Sequence, residues 1–240
     1  VTEIRQMGDN IAHDLKSPVT RIRGMSEVTL TTGKSPSEYE AMAGGIIEEC
    51  DRLLDMINTM LMISKTEAGV EKPLKEKVDL VRLVRDACAL FGTLAQDKGL
   101  KLDCDAPDRC EMAGDRRLLQ RMLSNLLDNA IKYTPPGEKV LVSVKECGGD
   151  KVKIAVEDTG IGISAVDLPH IFERFYRGDR SRSEPGAGLG LSLARAIARA
   201  HGGDITAQSH LHEGSLFIAI LPLSTYPKSH LRVLFPARSI

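Results

Sequence analysis

Hydrophobic positions in the first third of the chain recur at helical spacing. Set about 100° apart on a helical wheel, Ile4, Met7, Ile11, Leu15, Pro18, Ile22 and Met25 fall into one stripe. This predicts an amphipathic helix over residues 2–31, with Pro18 as its interior violation and a kink there. Gly33-Lys34-Ser35-Pro36-Ser37 makes the turn. A second helix is predicted over residues 36–68, from an allowed first-turn proline to a stop at Gly69, with Ile46, Cys50, Leu53, Ile57 and Met60 flanked by Ile47, Leu54 and Leu61. A hairpin of two such helices cannot shield both stripes alone. Pairing two hairpins into a dimeric four-helix bundle does, so a homodimer is expected.

Residues 71–77 are charged, contain Pro73 and read as a linker, and beyond them the period changes. Helices are expected over residues 80–98, 115–133 (with Asp115 as N-cap) and 189–201. Strands are expected over residues 100–104, 140–145, 151–156, 205–209 and 215–221, the second and third as a hairpin. The alternation predicts an α/β sandwich with helices covering one face of a mixed sheet. The expected organisation is a helical hairpin over 1–69, a linker over 70–77, an α/β domain over 78–223 and a tail over 224–240. That tail has no acidic residue and reads as a disordered extension, with a basic docking segment as the alternative.

Composition narrows the class. At 240 residues the chain suits two domains, and a net charge of -1 gives no electrostatic reason to expect nucleic acid. The five cysteines are scattered without a CxxC pair, which disfavours a disulfide framework or a zinc site and fits a reducing cytoplasm. No apolar run approaches transmembrane length. The apolar stripe is already running at Ile4 without an N-cap, so Val1 is expected to begin a fragment whose natural helix continues upstream into a segment absent here.

Candidate chemistry starts at His13-Asp14-Leu15-Lys16-Ser17-Pro18. His13 falls opposite the apolar stripe, Asp14 projects close enough to reach the imidazole, and Ser17 lies one turn along. By themselves these residues read as a solvated surface histidine. Asn125, Asn129 and Lys132 share one helical face beside Tyr133. Amide oxygens there can hold Mg2+ and an ammonium can offset phosphate charge, although a solvated polar face fits the same pattern. In Glu157-Asp158-Thr159-Gly160-Ile161-Gly162-Ile163 a carboxylate can accept from an exocyclic amine, or simply cap a turn. Gly186-Ala187-Gly188-Leu189-Gly190-Leu191 puts bare amides at a helix N-terminus, suited to phosphate but equally to a structural turn, and it lacks the preceding strand of a Rossmann fingerprint. Between them, Ile171-Phe172-Glu173-Arg174-Phe175-Tyr176-Arg177-Gly178 reads as a mobile lid: Phe172 and Phe175 are expected to anchor it, and Arg174, Arg177, Arg180 and Arg182 either solubilise the surface or, as a lid over a triphosphate needs, put at least one guanidinium toward phosphate. His201, at a helix end before Gly202-Gly203, reads as structural. His170, His210, His212 and His230 show no ligand spacing.

Taken together and in order, these segments resemble the boxes of bacterial two-component sensor histidine kinases. His13 to Pro18 is similar to the H box, Asn125 to Ala130 to the N box, Asp158 to Gly162 to the G1 box, Phe172 to Tyr176 to the F box and Gly186 to Leu191 to the G2 box. The resemblance implies a dimerisation and phosphoacceptor hairpin followed by an ATP-binding domain of the type shared with gyrase, Hsp90 and MutL. It gives Asn125 and Asn129 to Mg2+, Lys132 to the phosphates, Tyr133 to the adenine side and Asp158 to the adenine amino group. Gly160 and Gly162 belong to that nucleotide site; Gly186, Gly188 and Gly190 would cradle phosphate, with Arg177 reaching for the γ-phosphate. His13 would accept the phosphoryl group with Asp14 as its base, and pass it to an aspartate on a response regulator receiver domain. Family members that also dephosphorylate their regulator usually carry threonine or asparagine where this chain has Ser17, whose hydroxyl can still orient a water. The setting implied is the cytoplasmic portion of an inner-membrane sensor, with the upstream sensor or membrane segment expected to be absent from this fragment. Two other classes stay open on sequence: a dimeric scaffold that binds ATP without transfer, and a related ATPase that uses nucleotide as a conformational clamp.

Overall fold

The computed structural model describes residues 2–32, 35–69, 73–148, 150–178 and 186–223, with side chains from residue 16 onward. Two long helices come first, α1 (Thr2–Thr32) and α2 (Pro36–Glu67). The start of α2 is fixed locally: Ser35 accepts from the Glu38 amide, the Glu38 carboxylate takes the Ser35 amide at 2.9 Å, and Pro36 fills the first helical position. Gly69, at φ 64°, closes the other end. α1 continues through Pro18, which is buried. The register of the hairpin is set by Arg21 on Glu49 and by the Met25 thioether, which occupies the space beside Gly45 that a Cβ would need. Ile47, Leu54 and Leu61, spaced by sevens, are exposed together with Ile57.

The second unit is a two-layer sandwich. Its five-stranded sheet runs in the order β2 (Lys101–Asp105), β4 (Lys139–Cys147), β5 (Lys151–Asp158), β7 (Gly214–Pro222), β6 (Asp204–His210), antiparallel except for the parallel β2–β4 pair. Strand alternation puts Val140, Val142 and Val144, then Val152, Ile154 and Val156, then Phe217, Ala219 and Leu221 on one buried face. Helices α3 (Leu80–Asp97), α4 (Arg116–Tyr133) and α5 (Gly190–Ala200) cover that face. Leu119, Met122, Leu123, Leu126 and Leu127 of α4 are fully buried, which makes α4 the central helix of the core.

A short antiparallel pair, β1 (Glu76–Asp79) with β3 (Glu111–Gly114), lies outside the predicted elements, and β1 begins inside the expected linker. Each strand has four residues, and β1 buries only Val78, too little for a period of two to show.

The hairpin packs on the sandwich through the end of α2. Ile63 is fully buried, with Met56, Met60 and Met62 against the same core. Arg121 of α4 donates to Thr59 Oγ1 at 3.0 Å, and Arg174 pairs with Glu67. Among the described residues no helix is long and apolar enough to cross a membrane.

Candidate functional site

A cleft of about 410 Å3 opens beside the C-terminal end of β5 and is walled by α4, the turn after β5, the segment before residue 178 and the loop entering α5. Each wall is placed by local chemistry.

α4 contributes Asn125, Asp128, Asn129, Lys132 and Tyr133, one face of a helix whose two ends are both satisfied. At its start the Asp115 carboxylate accepts from the amides of Arg117 at 3.0 Å and Leu118 at 3.2 Å. At its end the Lys98 ammonium donates to the carbonyls of Ile131 at 2.8 Å and Lys132 at 2.7 Å. His201 supports the same frame. Its Nε2 accepts from the Asp115 amide at 3.0 Å and its Nδ1 donates to the Ile197 carbonyl at 2.8 Å, while burial holds its pKa below the ordinary value, so the neutral ring is a structural strut.

Asn125 spends its amide nitrogen on the Arg121 carbonyl at 2.9 Å, and its Oδ1 points at Gly190, where a Cβ would stand 3.1 Å from it. The oxygen, the atom a hard cation takes, is thereby turned toward the loop entering α5. Lys132 Nζ stands 4.9 Å from the Tyr133 ring centroid and 3.3 Å from where a Gly186 Cβ would be. α5 starts at Gly190 with Leu189 as an N-cap that makes no side-chain hydrogen bond, so first-turn amides of that helix meet the cleft beside Lys132 and Asn125.

Asp158, the last residue of β5, is buried. Its Oδ1 accepts from the Gly160 amide at 2.9 Å and the Ser215 amide at 3.2 Å. Burial pushes its pKa up to about 6 against those two donors, so a costly carboxylate is kept at the cleft wall. Glycine is required in the turn that follows: Gly162 has φ 65°, and a Cβ there would lie 2.0 Å from the His210 carbonyl oxygen. Gly160 backs Asp158 against the Tyr133 carbonyl, and does not line the cleft itself.

The lid root is pinned to the glycine loop. The Phe175 amide donates to the Gly188 carbonyl at 3.0 Å, Phe175 is buried, and it holds φ 63°, a left-handed conformation rare for an aromatic residue. Gly188 faces it at φ 66° with no room for a Cβ. Phe172 lies under the Arg195 guanidinium, 4.8 Å from the ring centroid. The expected anchoring of both aromatics is seen. Arg177, Gly186, Gly188 and Gly190 line the cleft.

Some candidates fall elsewhere. His13 and Asp14 lie in α1, but their side chains are outside the described ones, as are Arg180 and Arg182 entirely. Ser17 is described, and its Oγ accepts from Arg21 at 2.7 Å. Sequence reasoning missed Asp167 and Ser164, which line the cleft: Asp167 accepts from Tyr176 and from Ser164, each at 2.7 Å, and the Tyr176 bond leads in holding its carboxyl below the usual range. No periodicity or motif marked Asp167; its partner Tyr176, nine residues on, was visible only as part of the lid.

Fold and cleft together define a nucleotide-site domain of known class: residues 114–225 match the family model for histidine kinase-, DNA gyrase B-, and HSP90-like ATPases. Residues 3–69 match the His Kinase A phospho-acceptor domain. Sensor histidine kinase CusS of Escherichia coli O157:H7 is 35% identical over 215 residues, 89% of this chain and 44% of that protein. Sensor-like histidine kinase SenX3 of Mycolicibacterium smegmatis is 34% identical over 223 residues, 92% of this chain and 58% of that protein. Among solved structures, full-length ShkA in complex with AMPPNP superposes with a TM-score of 0.70 at 25% identity, covering 92% of this chain and 46% of that one. The chain belongs to the histidine kinases, and it spans about half the length of the curated relatives it matches.

Proposed function

We propose that the chain autophosphorylates on His13 from ATP, passes the phosphoryl group to an aspartate of a response regulator, and removes it again. The observation that carries this reading is the cleft, with Asp158 at one end and Lys132, Arg177 and the α5 N-terminus at the other, in one chain with the His13-Asp14 helix. A base and a polyphosphate need those two chemistries at opposite ends of one pocket.

In this reading Asp158 accepts from the adenine amino group and Tyr133 flanks the adenine. Lys132, Arg177 and the backbone at Gly186, Gly188 and Gly190 hold phosphate oxygens, and Gly160 and Gly162 shape the turn that presents Asp158. Asn125 and Asn129 suit Mg2+, since the Asn125 amide presents oxygen and not nitrogen to the cleft. The ion supplies charge neutralisation at the phosphates when bound. An imidazole nitrogen of His13 attacks the γ-phosphorus in line; the N–P bond forms, the bond from phosphorus to the bridging oxygen breaks, and ADP leaves. Asp14 holds the proton on the other ring nitrogen and fixes the tautomer.

The hairpin geometry supports the pairing of cleft and histidine. Counting eight residues back from Arg21 and eight forward from its partner Glu49 brings His13 level with Ile57, two residues from Thr59, where Arg121 of α4 is bonded. The exposed stripe of Ile47, Leu54 and Leu61 supports the homodimer, each hairpin covering the other's apolar face. In this reading the chain divides into a phosphoacceptor hairpin over 1–69 and a catalytic domain that runs to residue 223 and begins with β1 at Glu76, not at residue 78, because β1 pairs with β3; use of ATP and of a response regulator fits the cytoplasm for both.

Incubation with γ-labelled ATP and Mg2+ tests the reading. Acid-labile, base-stable label on the parent chain and none on His13→Ala is the expected result. An unlabelled parent chain would leave the non-transferring scaffold as the better account.

A further inference from the structure

The Ser17 hydroxyl belongs to a chain of charged contacts that crosses the hairpin. Arg21, one turn along α1, donates from Nη1 to Ser17 Oγ at 2.7 Å. Its other edge is taken by Glu49 of α2, with Nε on Oε1 at 3.0 Å and Nη2 on Oε2 at 2.8 Å. Glu49 is 6% exposed, a buried carboxylate in the middle of a helix face, and it also accepts from Arg52 Nη1 at 2.8 Å. A bidentate pair fixes the plane of a guanidinium as a point charge cannot, so the direction of the Nη1 bond to Ser17 is set from the neighbouring helix.

This geometry constrains the hydroxyl. A guanidinium has no acceptor, so Ser17 Oγ must be the acceptor in that bond and its O–H must turn away from Arg21. One lone pair remains to accept a hydrogen bond from a water, and that water keeps its own lone pair for attack. Without Arg21 nothing from the neighbouring helix fixes which side of the oxygen accepts, and the hydroxyl keeps only the local choices of a helical serine.

We propose that Arg21, held by Glu49, is a positioning residue for Ser17 in the hydrolysis of the regulator's aspartyl phosphate, an inference that rests on the dephosphorylation step proposed above. In that step the oxygen of the water attached to Ser17 bonds to phosphorus. The bond from phosphorus to the aspartyl oxygen breaks, the aspartate leaves as its carboxylate, and the water's proton departs with inorganic phosphate or to solvent. Arg21 touches neither water nor phosphorus; it acts through the Ser17 oxygen.

The test is a double-mutant cycle. The probe is a purified receiver domain, chosen from a panel as the one this chain phosphorylates fastest, and loaded on its aspartate with acetyl phosphate. Ser17→Ala and Arg21→Met are each expected to slow loss of its phosphate by about tenfold, the size of one lost hydrogen bond. The double variant is expected to be no slower than Ser17→Ala alone, because both act through one hydroxyl. Arg21→Met alone leaves a buried carboxylate without its main partner. The cycle is therefore repeated on Glu49→Gln, where that charge is gone and thermal unfolding reports whether the hairpin is intact. Arg21→Lys, which keeps charge but loses the fork, should restore part of the rate. A parent chain that speeds phosphate loss no more than the receiver alone overturns the dephosphorylation reading itself, and an unchanged rate in Ser17→Ala overturns any role for that hydroxyl and for Arg21 behind it. A slowed Ser17→Ala together with an unaffected Arg21→Met, or with an Arg21→Met loss that persists undiminished in the Ser17→Ala background, overturns the role of Arg21 and leaves that of Ser17 standing.

Discussion

Arg121 and Asn125 are joined twice over: they are successive-turn neighbours on α4, and the Asn125 amide donates to the Arg121 carbonyl at 2.9 Å while the Arg121 guanidinium reaches out of the domain to Thr59. A residue that touches the hairpin is therefore one hydrogen bond from the side chain that would bind the cation. Ile63 seals the same contact.

Ile63→Ala removes a fully buried side chain at the junction and should cost about 2 to 5 kcal/mol in that packing. Amide hydrogen exchange is expected to speed up selectively in the last two turns of α2. Nucleotide affinity should stay within about threefold, since Ile63 is outside the cleft. Uniform exchange across the chain would mean that the hairpin does not dock through Ile63.

Asp158 gives a pH signature with a defined sign. Its pKa is raised in the folded chain to about 6 from an ordinary value of 3.8, so the folded state favours the protonated acid. The associated stability is complete below 3.8 and is lost as pH rises through about 6. A shift of that size corresponds to roughly 3 kcal/mol. Asp158→Asn should therefore raise the melting temperature at pH 7 while weakening ATP binding by at least about tenfold. In the parent chain, ATP affinity should fall as pH drops below about 6; calorimetric titration at several pH values reads both.

Gly188→Ala forces a side chain into the left-handed conformation against the Phe175 backbone, which lies 2.8 Å from the would-be Cβ. The strain is local and of order 1 to 3 kcal/mol. The expected outcome is an intact sheet by circular dichroism and a loss of ATP affinity of about tenfold or more.

Leu54→Glu with Leu61→Glu places charge in the exposed stripe of α2. Sedimentation should show a dimer for the parent chain and a monomer for the variant. Nucleotide binding should persist, because neither residue lines the cleft.

The long elements were readable because their period reports burial directly. Asp115 as N-cap, the α4 stripe and the β4–β5 hairpin all follow from neighbours in sequence. What the chain hid are partnerships between distant residues of unremarkable type. Glu49 looks like any solvated acid beside Glu48, yet it is buried because Arg21, 28 residues away, meets it across the hairpin. Asp167 carries no motif, and its importance comes from Tyr176 folding back on it. The pair β1 and β3 is held by each strand's partner and not by its own pattern. Motif spacing pointed to the α4 face, while the orientation of the Asn125 oxygen depends on a backbone carbonyl that no spacing rule encodes.

Asp158 and Ser215 are register partners in the central ladder, whereas the opposite end of the cleft hangs from the turn that Phe175 and Gly188 clasp. A nucleotide held here would lie between two walls of different construction. If ADP leaves by this cleft, the clasped turn has fewer backbone bonds to break than the ladder. On that account the exit of spent nucleotide would depend on the Phe175–Gly188 hydrogen bond and the left-handed aromatic beside it, residues apart from the Asp158 that would recognise the base.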